Sequence, residues 1–584
     1  MSLLETTIFD SAIPFSGLRI DEKIYECRDE ISRIALDKLT DKVICIENKE
    51  ILSQNDFAFA NSFYIIKYCH NLNAKSISVP ENSVLYFMGG MLSNGTLRGN
   101  NTFIKGNTYH IFDEDLDIGG TWNINHISSN LFTSLSKDNS IRRLFGLTNS
   151  SIYNEVIIEK GEYTFDFTKN SEVGVGLNSN TKVILIGDIS LKANSFDHYY
   201  IFNVEGENIK IEGNGTINGD KLIHTETNGE WGHCINVYRS KNVTIEGITI
   251  KYAWGDGIYV GKESSNCIIK NCIIDNCRRQ GISGVICNNL IVENCKISNI
   301  SGTAPAAAID YEPNPNDIEY NFIARNIDIE YCDKGILCTA PNDGVTQVGN
   351  CLIENNNIKN CKRSIECDAC HNVVIRNNRI INYDNSTTEY PWIDITGETY
   401  ALIDHNHIEG NMGVVAIRVL KDVKNATISN NTIISTSEEE VAPIYAKSPI
   451  NVYNNYIDTP IAINGLPNYS QVENNTFIGK IDINTEFSKI SRNKFFGNGK
   501  FENQIMLYRF IDSLFTDNIV EVHNEEEIKR LIFIVTMERS IVANNILYGD
   551  KFHTGILNNS RDESLDNTIS NNKISGTYTK KENI

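Results

Sequence analysis

"NCIIKNCIIDNC", residues 266–277, alternates polar and apolar residues and breaks the pattern twice with an asparagine. A period of two is the mark of a strand with one buried face. Strands this short cannot bury that face alone, so they must stack on others like them. The pattern returns along the chain in "NVTIEGITI" (242–250), "NLIVENCKI" (289–297), "NFIARNIDI" (321–329), "NCLIENNNI" (350–358) and "NVVIRNNRI" (372–380). It continues in "NATISNNTI" (425–433), "INVYNNYI" (450–457), "SQVENNTFI" (470–478), "SIVANNILY" (540–548) and "DNTISNNKI" (566–574). Consecutive copies lie mostly 19–32 residues apart, which is the period of a solenoid.

The repeat predicts an all-β chain, a right-handed parallel β-helix whose coils stack about 4.8 Å apart. The asparagines align at Asn271, Asn294, Asn326, Asn355, Asn377, Asn430, Asn454, Asn474, Asn493, Asn544 and Asn571. At one bend of each coil such a column is expected to pass amide hydrogen bonds along the stack. A second strand in each coil aligns on Ile235, Ile258, Ile282, Ile309, Ile336, Ile365, Ile393, Ile417 and Ile444, at steps of 23–29 residues. The β-helix is expected over 151–580, after a strand-rich lead-in at 79–150 with a short helix near "SKDNSIRRLFGLTN" (136–149). Residues 1–78 read as a partly helical assembly or attachment region, with helical spacing at 21–39 and 55–73.

The formal charge of −21, from 74 acids against 53 bases with no basic block, argues against nucleic acid and anionic membranes. Twelve of the 15 cysteines fall between Cys234 and Cys370, many at strand spacing, and read as buried free thiols. No Cys-x-x-Cys pair recurs beyond "CDAC" (367–370), so zinc is not expected, nor any other resident metal. No apolar run of 18 residues predicts a membrane span, and the first residues lack the features of a signal peptide.

The stretch "AAAIDYEPN" (306–314) is one rung of the isoleucine column. Ile309 and Tyr311 are expected inside, with Asp310 and Glu312 together on the outer face. The outward stripe then reads Asn236, Tyr259, Ser283, Asp310 with Glu312, Leu337, Glu366 with Asp368, Asp394 and Arg418. His233, Asp256, Arg278 with Arg279, Lys334 and Arg363 lie at the rung entries, and Trp231, Trp254 and Trp392 border the stripe. Carboxylates, cations and aromatic faces in one groove suit a poly- or oligosaccharide. Glycoside cleavage needs paired carboxyl groups, about 5–5.5 Å apart for retention and about 6.5–9.5 Å for inversion. Asp310, Glu312, Asp256 and Glu366 are the catalytic candidates. Trp231, His233, Trp254, Tyr259, Arg278, Arg279, Asp368, Trp392 and Asp394 are the candidates for holding sugar, the arginines for an anionic one.

The run from "WGDGIYV" through "NCRRQGIS" to "AAAIDYEPN" (254–314) resembles the pectate-lyase-superfamily β-helix proteins. These include bacteriophage tailspikes and depolymerases and gut-bacterial carbohydrate-active proteins. "VPENSVLYFMGGMLSNGTLRGNNTFIKG" (79–106) is similar to the lead-in of phage-type chains. "GDGI" keeps one acid of the polygalacturonase paired-Asp motif, "RQGIS" lacks that family's histidine, and "WIDIT" (392–396) lacks the histidine of the pectate lyase stretch. The resemblance implies a glycan-hydrolysing phage tailspike, a homotrimer carried on the virion, or a secreted protein where a leader has been removed. Two alternatives stand beside it. One is a polysaccharide lyase holding Ca²⁺ on Asp310, Glu312, Glu366, Asp368 or Asp394, with an Arg or Lys base; the other is a non-catalytic adhesin.

Overall fold

The computed structural model describes residues 42–578 except 168–171, 228, 342, 344, 384–389, 398, 498 and 561–565, together with the backbone of 17–20 and 23–26. The chain forms two compact units, Met1–Glu226 and Thr227–Ile584. Apart from the antiparallel pair Gly17–Ile20 and Lys23–Glu26, both are built from parallel strands that pair coil on coil, the arrangement of a parallel β-helix. Among the described residues no helix is long and apolar enough to cross a membrane.

In the second unit the isoleucine column is in register from end to end. Ile235 pairs with Ile258, Ile258 with Ile282, Ile282 with Ile309, Ile309 with Ile336 and Ile336 with Ile365. Ile365, Ile393, Ile417 and Ile444 continue it. Side chains from Ile235 to Ile417 are fully buried, so one outward residue of each rung falls beside its counterpart on the next.

The asparagine ladder exists, one residue along from the expected column except at Asn493, which stands in the ladder itself. Asn271, Asn294, Asn326, Asn355, Asn377, Asn430, Asn454, Asn474, Asn544 and Asn571 sit at φ between 54° and 59°, in the left-handed region that turns the chain. Asparagine tolerates that conformation better than other side chains. The ladder is the next residue: Asn356, Asn378, Asn406, Asn431, Asn455, Asn475, Asn493, Asn518, Asn545 and Asn572. In each step one Oδ1 accepts both the backbone N–H and the side-chain N–H of the preceding asparagine, as Asn406 Oδ1 does from Asn378 at 2.9 and 3.0 Å. Asn378 Nδ2 also donates to the Ile353 carbonyl at 2.9 Å. In earlier coils Cys272 and Cys295 occupy this place, each with its thiol towards a carbonyl, and Ile327 follows them. All cysteines from Cys234 to Cys370 are free and buried, while Cys45 and Cys69 are exposed.

The N-terminal region departs from the expectation. Residues 55–73 hold a single 3₁₀ turn, Gln54–Asp56, and then the strands Ser62–Ile66 and Cys69–Ser78. Asn61 at φ 47° turns the chain where a helix would have to continue, and Phe63, Tyr64 and Ile66 are buried as strand residues. Parallel pairing begins with Lys42–Cys45 against Ser62–Ile66, so coils start well before 79 and 151. Of 21–39, Lys23–Glu26 is a strand, and 27–39 lie outside the described residues. A one-turn helix, Arg142–Phe145, interrupts the strands within 136–149.

Candidate active site

The strand Ala307–Tyr311 pairs with Ile282–Glu293 on one side and Lys334–Thr339 on the other, placing Asp310 between Ser283 and Leu337. Ile309 and Tyr311 are buried inside, as alternation requires. Asp310 points outward yet is only 2% exposed. The small residues around it let the coils close. A Cβ on Gly281 would lie 2.5 Å from the Ala308 carbonyl oxygen. The Ala307 N–H donates to Gln280 Oε1 at 2.7 Å, and Gln280 Nε2 donates to Asp310 Oδ2 at 2.7 Å.

Around this pair runs a chain of ion pairs. Arg279 Nη1 reaches Asp256 at 3.3 and 3.1 Å, with its Nε 3.5 Å from Glu230. Ser283 Oγ donates to Asp256 at 2.8 Å, and Asp256 itself is fully buried. Glu366 binds Lys334 at 2.9 Å and Arg363 at 2.5 Å. Asp394 takes a two-point contact from Arg418 at 2.8 and 2.5 Å. Burial alone would push Glu366 up, but Lys334 and Arg363 outweigh it and hold it below its ordinary value. Arg418 is raised by its bond to Asp394. Arg279 is raised too, because Asp256, Asp310 and Glu230 outweigh the effect of burial.

Asp310 and Glu312 are different. Among the described residues neither has an ion-pair partner within 4.0 Å, though each feels Arg279 and Lys334 at longer range. Burial, reinforced by Glu312, lifts Asp310 well above the usual carboxylate range. Burial lifts Glu312 as well, against the pull of Arg279 and Lys334, and Glu312 keeps part of its surface in solvent. Asp310 Oδ1 is buried with no hydrogen-bond partner among the described residues. A buried acid raised above its ordinary range therefore stands two residues from a more exposed carboxyl, about 7 Å along the strand direction. Proton donation and water activation are what such a pair can do.

The other sequence candidates divide. Asp256, Arg279, Glu366 and Asp394 lie with Asp310 and Glu312 in this network, and Asp368 lies half-buried beside Glu366 on the same strand. Tyr259 stacks on His233, ring centroids 5.1 Å apart, and Gly261 leaves it room, since a Cβ there would come within 2.4 Å of the ring. His233 is buried, and burial first, then Arg279, pushes it down to about 4 against Asp256. Its Nδ1 accepts the Asp256 N–H at 3.0 Å, so the ring is a neutral support. Of the tryptophans only Trp231 is open, 53% exposed. Trp392 is wholly buried, and Trp254 is buried under the Arg278 guanidinium at 3.8 Å; neither offers a face to sugar. Arg278 holds the Gly229 and Thr227 carbonyls at 2.7 and 3.1 Å, and Arg279 holds acids of its own chain. Both arginines were expected to bind an anionic sugar; protein groups already occupy them.

Gln280, Glu230 and Glu319 escaped the sequence reading. The isoleucine register could have found Gln280, which stands two residues before Ile282 as Asp256 stands before Ile258. Glu319 is fully buried, accepts the Cys287 N–H at 2.8 Å, and is pushed up to about 9 by burial.

Coil register and the charged outer column define a right-handed parallel β-helix protein with a polar outer-face site. Residues 160–310 match the family model described as "Right handed beta helix region". The chain is 32% identical over 158 residues to the SPbeta prophage-derived uncharacterized protein YorA of Bacillus subtilis (strain 168), covering 24% of this chain and 26% of that protein. The match thus spans about a quarter of that relative's length. Among solved structures, a Yersinia enterocolitica family 28 exopolygalacturonase is 12% identical with TM-score 0.39, covering 58% of this chain and 79% of that one. A tailspike protein mutant of E. coli bacteriophage HK620, in complex with pentasaccharide, is 14% identical with TM-score 0.38, covering 71% and 72%. PfbA, a surface adhesin of Streptococcus pneumoniae, is 16% identical with TM-score 0.37, covering 64% and 91%.

Proposed function

We propose that this protein is a glycan-cleaving β-helix protein that hydrolyses glycosidic bonds at Asp310 and Glu312. The observation that carries the reading is that these two neighbouring outer-face acids have no ion pair among the described residues and are both raised by burial. Asp310 gives its proton to the glycosidic oxygen as the carbon–oxygen bond breaks. Glu312, ionised, takes a proton from the water whose oxygen bonds to the anomeric carbon. The sum is one water added across the linkage, and proton exchange with solvent restores both groups. A separation of about 7 Å along the strand suits attack by water with inversion. Trp231 offers an apolar face for a sugar ring.

Arg279, Lys334, Arg363 and Arg418 are matched by acids of the same chain and Arg278 by backbone carbonyls, which favours a neutral glycan over a polyuronate. Of the five acids that the lyase reading assigns to Ca²⁺, Glu366 and Asp394 are engaged by Lys334, Arg363 and Arg418, and among the described residues no three His, Cys, Asp or Glu side chains come together to hold a metal. The likeness to a prophage-derived protein supports a phage setting, with the protein a virion tailspike acting on a bacterial surface glycan as a homotrimer. The test is incubation with a panel of neutral and acidic glycans, followed by product analysis. New reducing ends without unsaturated products, lost in Asp310→Asn, uphold the reading. Ultraviolet-absorbing unsaturated ends mean a lyase, and retention without cleavage means an adhesin. Light scattering near three times the 65.7 kDa chain mass is expected, and a value near 65.7 kDa removes the trimer.

A further inference from the structure

We infer that Gln280 is a positioning residue that sets which oxygen of Asp310 carries the proton; the inference rests on the hydrolytic reading of that site. Gln280 is fully buried and its amide is held at both ends. One end receives the Ala307 backbone N–H at 2.7 Å. A backbone N–H can only donate, so that end must be the carbonyl oxygen. The other end is then the NH₂, and it faces Asp310 Oδ2 at 2.7 Å. An NH₂ group donates and does not accept, so Oδ2 is the acceptor of the pair and cannot direct a proton at Gln280.

When Asp310 holds a proton, that proton therefore resides on Oδ1. That oxygen is buried and has no hydrogen-bond partner among the described residues. A buried donor without an acceptor is costly in the free protein. An acceptor brought to Oδ1 would relieve the cost, and with Asp310 only 2% exposed a glycan oxygen reaches it only as the surrounding side chains move aside. The fold supports the geometry through its smallest residues. Ala307 brings its N–H within reach of the Gln280 carbonyl, and Gly281 lets the two coils approach closely at Ala308. The charged and titratable groups that act on Asp310 are Glu312 on its own coil, Arg279 and Asp256 on the preceding coils, and Lys334 on the next. Glu319, on the strand that follows, feels Asp310 in turn. None of them hydrogen-bonds Asp310 among the described residues, which leaves Gln280 to choose the oxygen.

The test reads the carboxyl itself and needs no substrate. Infrared spectra of the full chain carrying ¹³C-carboxyl aspartate should show a protonated-acid carbonyl band at neutral pH that vanishes in Asp310→Asn. In Gln280→Met the band should move to higher frequency, because Oδ2 loses its donor. Its titration midpoint should rise by about one pH unit, since the donor had favoured the anion. Gln280→Glu keeps an acceptor for the Ala307 N–H while removing the donor, so it checks a Met variant that folds poorly. Its midpoint should rise further, through like charge. A band and midpoint unchanged in the variants that fold would overturn the role of Gln280, as would absence of the band in the parent. Cleavage assays fail separately: a protein with the expected spectra and no glycan cleaved would sink the hydrolytic reading while leaving the proton's address intact.

Discussion

Arg279 reaches back one coil and holds the fully buried carboxylate of Asp256, at 3.3 and 3.1 Å from its two oxygens. Removing one partner of such a pair leaves a charge in a low-dielectric site, at a cost of about 3 kcal/mol. Arg279→Met should therefore lower unfolding stability by about that amount at neutral pH. Adding Asp256→Asn should restore much of it. Urea denaturation of the single and double variants measures the coupling, and additive losses would mean that the pair is not an energetic unit.

Asp310→Asn or Glu312→Gln should cut turnover on a cleaved glycan by about 10²–10⁴-fold with little change in Tm. The pH profile follows from the two raised carboxyls. Activity should rise as Glu312 ionises, above the usual glutamate range, and fall as Asp310 loses its proton at higher pH. Variants with full activity would mean that the acids are surface residues of a rung.

Glu319, pushed up to about 9 from 4.5, keeps its proton in the fold where the unfolded chain has already lost it. The unfolded state then binds fewer protons, so this group lowers stability as pH rises from about 4.5 to about 9. Glu319→Gln should match the parent at pH 4 and exceed it at pH 8 by up to about 5 kcal/mol, since each pH unit contributes up to about 1.4 kcal/mol. Urea midpoints at the two pH values provide the check. A difference independent of pH would show that the carboxyl is ionised in the fold.

Within the ladder, Asn431 accepts two bonds from Asn406, at 2.8 and 3.0 Å, and donates to the Ile403 carbonyl and to Asn455. Asn356 stands at the ladder's start, where its preceding neighbour is Ile327, and accepts that residue's N–H alone from the earlier coil. Asn431→Cys should cost about 3 kcal/mol, and Asn356→Cys about 1 kcal/mol less, because fewer buried groups lose partners there. Thermal or urea unfolding compares them, and equal losses would mean that the ladder's bonds are not what the position needs.

Thiol titration should label Cys45 and Cys69 in the native protein. The buried set, including Cys267, Cys272, Cys277, Cys295 and Cys332, should react only after denaturation. Burial pushes the Cys267 thiol up to about 12, which removes the reactive thiolate as well as access to it. Rapid native labelling of the full set would contradict the packed interior.

The repeat and the register of the isoleucine column were legible from sequence alone, because a period of two fixes which side of a strand is buried whatever surrounds it. Ile235 to Ile444, the outward place of Asp310 and the buried free cysteines all follow from that periodicity and the stacking of short strands. The sequence could not separate Asn377 from Asn378, since adjacent asparagines differ only in backbone angle: one turns the chain at φ 54° and the other enters the ladder. The aromatic spacing of 55–73 fitted a helix as well as two strands, and the turn at Asn61 settled it. Tertiary structure alone determined what covers the outer face. It buried Trp392, laid Arg278 over Trp254, matched Arg279 to Asp256, and left Asp310 and Glu312 without an ion pair among the described residues. The physical reason is that alternation says which way a side chain points, while burial and charge pairing depend on long side chains arriving from other coils.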